Sequence, residues 1–200
     1  MAILKFSASA VAAQIAHARA CKTFLPNWNG PVDRPALILI VGNGVHLRSN
    51  GIDGTTTRIV TTEQAEAIIA DLEGATESLL FSSGMGAATA VIDHLPAHAH
   101  VVVPEVMYHG VLAQFQTFAA KDRLEVSYYP AGDLDAMQAA LREGETALVW
   151  VESPNNPNWD TTDIAAAAEI AHAAGAKMVT DCTGTPPCAT RALELGADIS

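Results

Sequence analysis

From Thr62 onward, short apolar runs alternate with segments of helical periodicity, and this alternation limits the fold more than any other feature of the chain. The runs at 78–81, 100–103, 124–129, 147–151 and 177–181 are short and apolar and read as buried strands. Between them, 85–95, 111–120, 134–141 and 163–174 read as helices, and a last helical stretch is expected at 189–195. An earlier helix begins at Thr62, with Thr61 or Thr62 as its N-cap. Its residues Ala65, Ile68, Ile69 and Leu72 recur at helical spacing, and Gly74 can end it. Strand, helix, strand repeated in this way is the pattern of right-handed βαβ units. The expected architecture is α/β, a mainly parallel sheet flanked by helices.

Residues 1–60 read differently. An alanine-rich, helical opening leads into a loop rich in Pro, Asn and Gly at 24–31. The apolar run 36–41 is short enough for a buried strand, and Asn43-Gly44 and Asp53-Gly54 are turn signals. This stretch is expected to be an N-terminal arm or extension, with 61–200 forming the main domain.

Composition excludes several partners. With 11 basic against 22 acidic residues and a net charge of −11, the chain has no basic surface for nucleic acid or for an anionic membrane. The acidic exterior reads as a solvated surface. Cys21, Cys182 and Cys188 show no Cys-x-x-Cys spacing, so neither a disulfide framework nor a metal site is expected, and a reducing cytoplasm fits best. No apolar run reaches the length of a membrane span. The first 20 residues lack a compact apolar stretch, because Gln14, His17 and serines interrupt them, so no removable signal is expected.

In parallel sheets ligands bind beyond the carboxyl ends of the strands, so the residues just after each strand carry the functional information. The first strand of the alternating series is followed by Ser82-Ser83-Gly84-Met85-Gly86, which opens a helix. Small residues at a helix N-terminus can cradle a phosphate, or can simply make a tight strand-to-helix turn. Tyr108 follows the next strand and can lie against a planar ligand or pack in the core. Glu152-Ser153-Pro154-Asn155-Asn156-Pro157 forms a stiff loop whose asparagines can reach a ligand or close the loop on itself. Asp181 ends a buried strand, where an acid is costly unless paired. A protonated pyridine nitrogen would be such a partner; a structural hydrogen bond is the plainer one.

In this order and spacing the segments resemble the Cys/Met-metabolism family of pyridoxal 5'-phosphate (PLP) enzymes, which includes cystathionine gamma-synthases and lyases, methionine gamma-lyases and homoserine-ester sulfhydrylases. The resemblance runs from Leu72 to Ser200 and is carried by Leu72-Glu73-Gly74, Phe81-Ser82-Ser83-Gly84-Met85, Tyr108 with Gly110, Glu152 to Pro157, Asp163-Ile164, and Leu195 to Ile199. It implies the large domain of PLP fold type I, binding PLP and acting on a small amino-acid substrate by β- or γ-elimination or γ-replacement. It assigns Ser83, Gly84 and Met85 to the cofactor phosphate, Tyr108 to ring stacking and proton transfer, Asn156 to the ring hydroxyl and Asp181 to the ring nitrogen. Thr183 would lie beside the cofactor. Arg58 matches an arginine that reaches the phosphate of a neighbouring subunit, so a homo-oligomer, dimer or tetramer, is implied.

The chain also departs from the family pattern. Thr56 replaces the tyrosine two residues before Arg58, Cys182 stands where the family has Asn, and Gly184 where it has Phe. Cys182 is expected to be a small buried filler. These departures mark a divergent member. The family's Schiff-base lysine matches none of Lys5, Lys22, Lys121 and Lys177, and its C-terminal small domain has no counterpart here. The 200 residues alone are therefore expected not to catalyse, and a non-catalytic binding or assembly role is the alternative. A dinucleotide-binding domain ranks last, because no Gly-x-Gly-x-x-Gly follows the first strand.

Overall fold

Two faces of one parallel sheet, each covered by helices, organise the main domain. The structure, a computed structural model, describes residues 62–81 and 83–200 apart from the side chains of Thr62 and Gln64. It also describes the backbone of four earlier strands, β1 (Ile3–Ser7), β2 (Pro35–Ile40), β3 (His46–Arg48) and β4 (Thr57–Ile59). The alanine-rich opening, expected to be helical, is a strand at 3–7, where β1 pairs antiparallel with β2; the rest of it, the 24–31 loop, Cys21 and the two turn signals lie outside the described residues. The expected strand at 36–41 is β2, shifted by one residue.

The remaining elements follow in chain order: α1 (Thr62–Glu73), β5 (Ser78–Phe81), α2 (Gly84–His94), β6 (Ala99–Pro104), α3 (His109–Ala120), β7 (Leu124–Tyr129), α4 (Leu134–Ala140), β8 (Thr146–Glu152), α5 (Ile164–Ala173) and β9 (Lys177–Asp181). A four-stranded sheet in the order β7-β6-β8-β9 is parallel throughout. A three-stranded sheet joins β5 in parallel to β2, which pairs antiparallel with β1. β3 and β4 form an antiparallel pair.

Strand alternation separates the two cores, because successive side chains point to opposite faces. Val101, Val103, Leu148, Trp150 and Val179 pack on one face against Val91 and Ile92 of α2 and Val111 and Phe115 of α3. Val102, Val149, Val151 and Met178 pack on the other against Met137 of α4 and Ala167, Ala168 and Ala171 of α5. The alanines of α5 let that helix lie close to the sheet. Three helices, α2, α4 and α5, start on side-chain caps: Ser83 Oγ accepts from Gly86 N at 3.0 Å, Asp133 Oδ1 from Ala136 N at 2.9 Å and Asp163 Oδ1 from Ala166 N at 3.1 Å. Asp163, the first residue of the expected helix, is thus the N-cap just before α5.

The helix expected at 189–195 does not form. Ala189 N and Thr190 N donate to Pro186 O, and a separate turn brings Glu194 N and Leu195 N to Arg191 O. Two single turns replace one helix, and Gly196 at φ +103° reverses the chain. So short a segment has little helical stability of its own. It is held by burying Ala192, Leu193 and Ala197 on the α5 face.

Polar groups near the amino ends of β6, β8 and β9 pair with one another within the protein. His100 Nδ1 lies 2.8 Å from Thr146 Oγ1 and Nε2 lies 2.9 Å from Ser127 Oγ, tying β6 to both neighbours. Asp198 accepts from Lys177 Nζ at 2.8 Å and from Met178 N at 2.9 Å, with His172 Nε2 also 2.8 Å away. The carboxyl ends are where functional groups collect.

Candidate functional site

The constellation is built from four strand ends. Beyond β5, α2 begins with Gly84 and Met85 as its first turn, where N–H groups have no partner within the helix. Ser83 Oγ takes the Gly86 N–H, and no carbonyl among the described residues takes the Gly84 or Met85 N–H. Ser82 lies outside the described residues.

Beyond β6, Tyr108 is the N-cap of α3 and is 36% exposed, so it is not a core tyrosine. Its ring lies 4.7 Å from that of His109, tilted by 55°. Gly110 brings these two strand ends together. A Cβ there would stand 2.8 Å from Tyr108 Cε1 and 2.9 Å from Met85 Sδ. Gly110→Ala is therefore expected to destabilise the domain by about 1–3 kcal/mol, the usual cost of overpacking. A lowered urea midpoint would show it; an unchanged midpoint would mean that Met85 and Tyr108 yield freely.

Beyond β8, the two asparagines divide their work. Asn155 is buried; its Nδ2 donates to Val106 O and Asp160 Oδ2, both at 3.3 Å, and its Oδ1 accepts from Asp160 N at 2.9 Å. It closes the loop, whereas Asn156 is exposed. Gly184, where a Cβ would lie 3.2 Å from Pro154 Cγ, lets the loops after β8 and β9 close on each other. Cys182 is the buried filler expected beside them.

Asp181 ends β9 half-buried. Its Oδ1 accepts from Thr183 N at 2.9 Å and from Thr183 Oγ1 at 2.6 Å, and no described residue donates to Oδ2. Burial holds its carboxyl above the ordinary carboxylate range, against the lowering effect of the Thr183 bonds. Arg58 sits in β4 opposite Leu47, and its side chain is outside the described residues. It is the one expected site residue that the structure does not bring into view.

One residue that strand-end reading passed over stands at the centre. Glu152 pairs in register with Asp181 across β8 and β9 and is 6% exposed. Its Oε2 accepts from Tyr108 N at 2.6 Å and its Oε1 from Asn156 N at 2.8 Å. Burial raises its pKa to about 7, and the nearby Asp181 adds to the rise, while the two amide bonds oppose it. Sequence carried a signal for it: an acid closing a buried strand, the same feature that singled out Asp181.

Glu66 is likewise raised to about 7, chiefly by burial. Both carboxyls bind protons more tightly in the folded chain than at their ordinary value of 4.5. Their stabilisation is complete below that value and is lost as pH rises through about 7. His100, held below its ordinary 6.5 by burial, acts in the opposite sense only at lower pH. The urea midpoint is therefore expected to fall as pH rises toward about 7 and to level off above it, with a shallower fall in Glu66→Gln. A midpoint that rises over this range would contradict the burial of these acids.

Among the described residues no helix is long and apolar enough to cross a membrane, and no cluster of His, Cys, Asp and Glu could hold a metal ion.

Comparison with known proteins bears on this arrangement. A family model described as Cys/Met metabolism PLP-dependent enzyme matches residues 42–200. An O-succinylhomoserine sulfhydrylase of Pseudomonas aeruginosa is 38% identical over 140 residues, which is 70% of this chain and 34% of the relative. A mouse cystathionine gamma-lyase is 32% identical over 153 residues, 76% of this chain and 38% of its own length. The crystal structure of apo CalE6, a methionine gamma lyase from Micromonospora echinospora, matches with a TM-score of 0.63 and 34% identity over 68% of this chain and 37% of that one. The chain thus spans little more than a third of the length of each of these relatives.

Proposed function

This chain belongs to the Cys/Met metabolism PLP-dependent enzymes, and from that premise we propose that its strand-end face holds pyridoxal phosphate and serves elimination or replacement chemistry on sulfur-containing amino acids. One observation carries the reading: two helix-terminal amides without a partner among the described residues, an exposed tyrosine and a strand-end acid meet in one connected set of loops. This donor set fits the cofactor. An anion belongs at the first turn of α2, a flat ring against Tyr108, and a protonated ring nitrogen beside a carboxylate that burial otherwise disfavours.

When bound, the cofactor supplies the electron sink. The protein's part is to orient it. Gly84 and Met85 donate their N–H groups to the phosphate, with Ser83 holding the turn. Tyr108 lies along the ring and its hydroxyl can hold a proton near the reacting carbon. Asn156 approaches the ring hydroxyl. Asp181 keeps the ring nitrogen protonated, and Thr183 fixes the rotamer of Asp181. Arg58 is proposed to reach the phosphate of a neighbouring subunit in a homo-oligomer, dimer or tetramer. Residues 61–200 form the cofactor-holding part of a large domain, with 1–60 as an arm. The sparse cysteines favour a reducing compartment such as the cytoplasm. Substrates of the class named for the relatives, O-succinylhomoserine, cystathionine and methionine, are the ones to assay.

Titration with 4-deoxypyridoxine phosphate, which lacks the aldehyde and needs no lysine, tests the site by itself. Saturable binding competed by inorganic phosphate is expected, and no binding at millimolar concentration would overturn the proposal. Covalent attachment is a separate matter. Lys177 is engaged at the amino end of β9 by Asp198, about 13 Å of strand away from Asp181, and Lys121 caps the far end of α3. Borohydride reduction in the presence of PLP is expected to leave both unlabelled. Stoichiometric pyridoxyl label on either would contradict this placement.

A further inference from the structure

Glu152 is a buried acid at the site to which neither the motif resemblance nor the cofactor assignment gives a task. Its carboxylate spans two loops that are distant in sequence and adjacent in space. Oε2 holds the amide of Tyr108, beyond β6, and Oε1 holds the amide of Asn156, beyond β8. Each of these residues is exposed, while the carboxylate between them is not. The loops have a second tie, from Asn155 Nδ2 to Val106 O at 3.3 Å, so the fold of this corner does not depend on Glu152 alone. Among the described residues, Glu152 is the side chain that bonds the amides of both Tyr108 and Asn156.

We propose that Glu152 is a positioning residue that sets the spacing between Tyr108 and Asn156, and so the width of the slot that receives the cofactor ring. The proposal rests on the PLP reading for the identity of the ring, but the clamp itself is a property of the protein. A carboxylate is suited to it because both oxygens accept, and the two donors are backbone N–H groups that no other side chain replaces. Glutamine has the same shape but only one accepting oxygen. Its amide NH2 would face one of the two N–H groups, donor against donor, so one loop must move away.

Glu152→Gln and Glu152→Ala are compared with the native chain by three measurements. Hydrogen exchange at the amides of Tyr108 and Asn156 needs no cofactor. About tenfold faster exchange at one amide in the glutamine variant, and at both in the alanine variant, is expected from the loss of single hydrogen bonds. Affinity for 4-deoxypyridoxine phosphate should fall about tenfold in Glu152→Gln, with the circular dichroism band of the bound ring altered, while the thermal midpoint stays near the native value. Unchanged exchange at both amides overturns the clamp. Faster exchange with unaltered affinity and ring spectrum overturns the positioning role and leaves Glu152 structural. If the native chain binds no analogue, the PLP reading fails, and with it the role of the slot, whereas the exchange data still decide whether Glu152 holds the loops. If Glu152→Ala does not fold, the glutamine variant alone decides both the clamp and the positioning role.

Discussion

Asp181→Asn is expected to leave the chain at least as stable as the native one while costing about 10–100-fold in affinity for the PLP analogue. Both Thr183 bonds fall on Oδ1, and an amide oxygen accepts them as a carboxylate oxygen does. Stability is therefore kept on that side. It is helped on the other, because burial disfavours the ionised acid and the substitution removes a charge that no described residue neutralises. Binding is different. A hydrogen bond between charged partners is worth roughly 1.5–3 kcal/mol, and an amide offers the ring nitrogen no charge. Urea unfolding and analogue titration on the same preparation separate the two effects. A variant that is destabilised yet binds normally would make Asp181 a structural residue only.

The largest effect on the fold is expected from Trp150→Ala. Trp150 is fully buried in β8, and its ring meets Phe115 edge-on at 5.5 Å. Tyr129 donates its hydroxyl to the Trp150 carbonyl at 3.0 Å, a bond the substitution leaves in place. The loss is therefore packing, about 3–5 kcal/mol for a buried tryptophan. That is a large part of the roughly 5–15 kcal/mol typical of a domain. The indole N–H has no hydrogen-bond partner among the described residues. Trp150→Phe, which removes that group and keeps much of the volume, should cost far less. Chemical denaturation followed by far-ultraviolet circular dichroism checks both. Equal losses in the two variants would mean that the cost does not come from the cavity.

Strand ends were legible because the apolar runs are short and punctuated. The runs 78–81, 124–129 and 177–181 coincide with β5, β7 and β9, and α2 and α3 begin within two residues of their expected starts. The 189–195 segment misled because its alanine and leucine content mimics a helix, whereas it folds as two single turns ended by Gly196 at φ +103°. The asparagine pair shows a different limit. Composition places both in a stiff loop, but which one turns inward depends on Val106, which lies 49 positions away. Glu152 was hidden for the same reason. Its partner Tyr108 N becomes a neighbour only once β6 and β8 are known to be adjacent strands.

A crystal structure of the chain soaked with 4-deoxypyridoxine phosphate tests the central claim most directly. The phosphate should sit on the Gly84 and Met85 N–H groups, the ring against Tyr108 and the ring nitrogen at Asp181. A ligand bound elsewhere, or a first turn of α2 whose amides are spent on protein carbonyls, would contradict it.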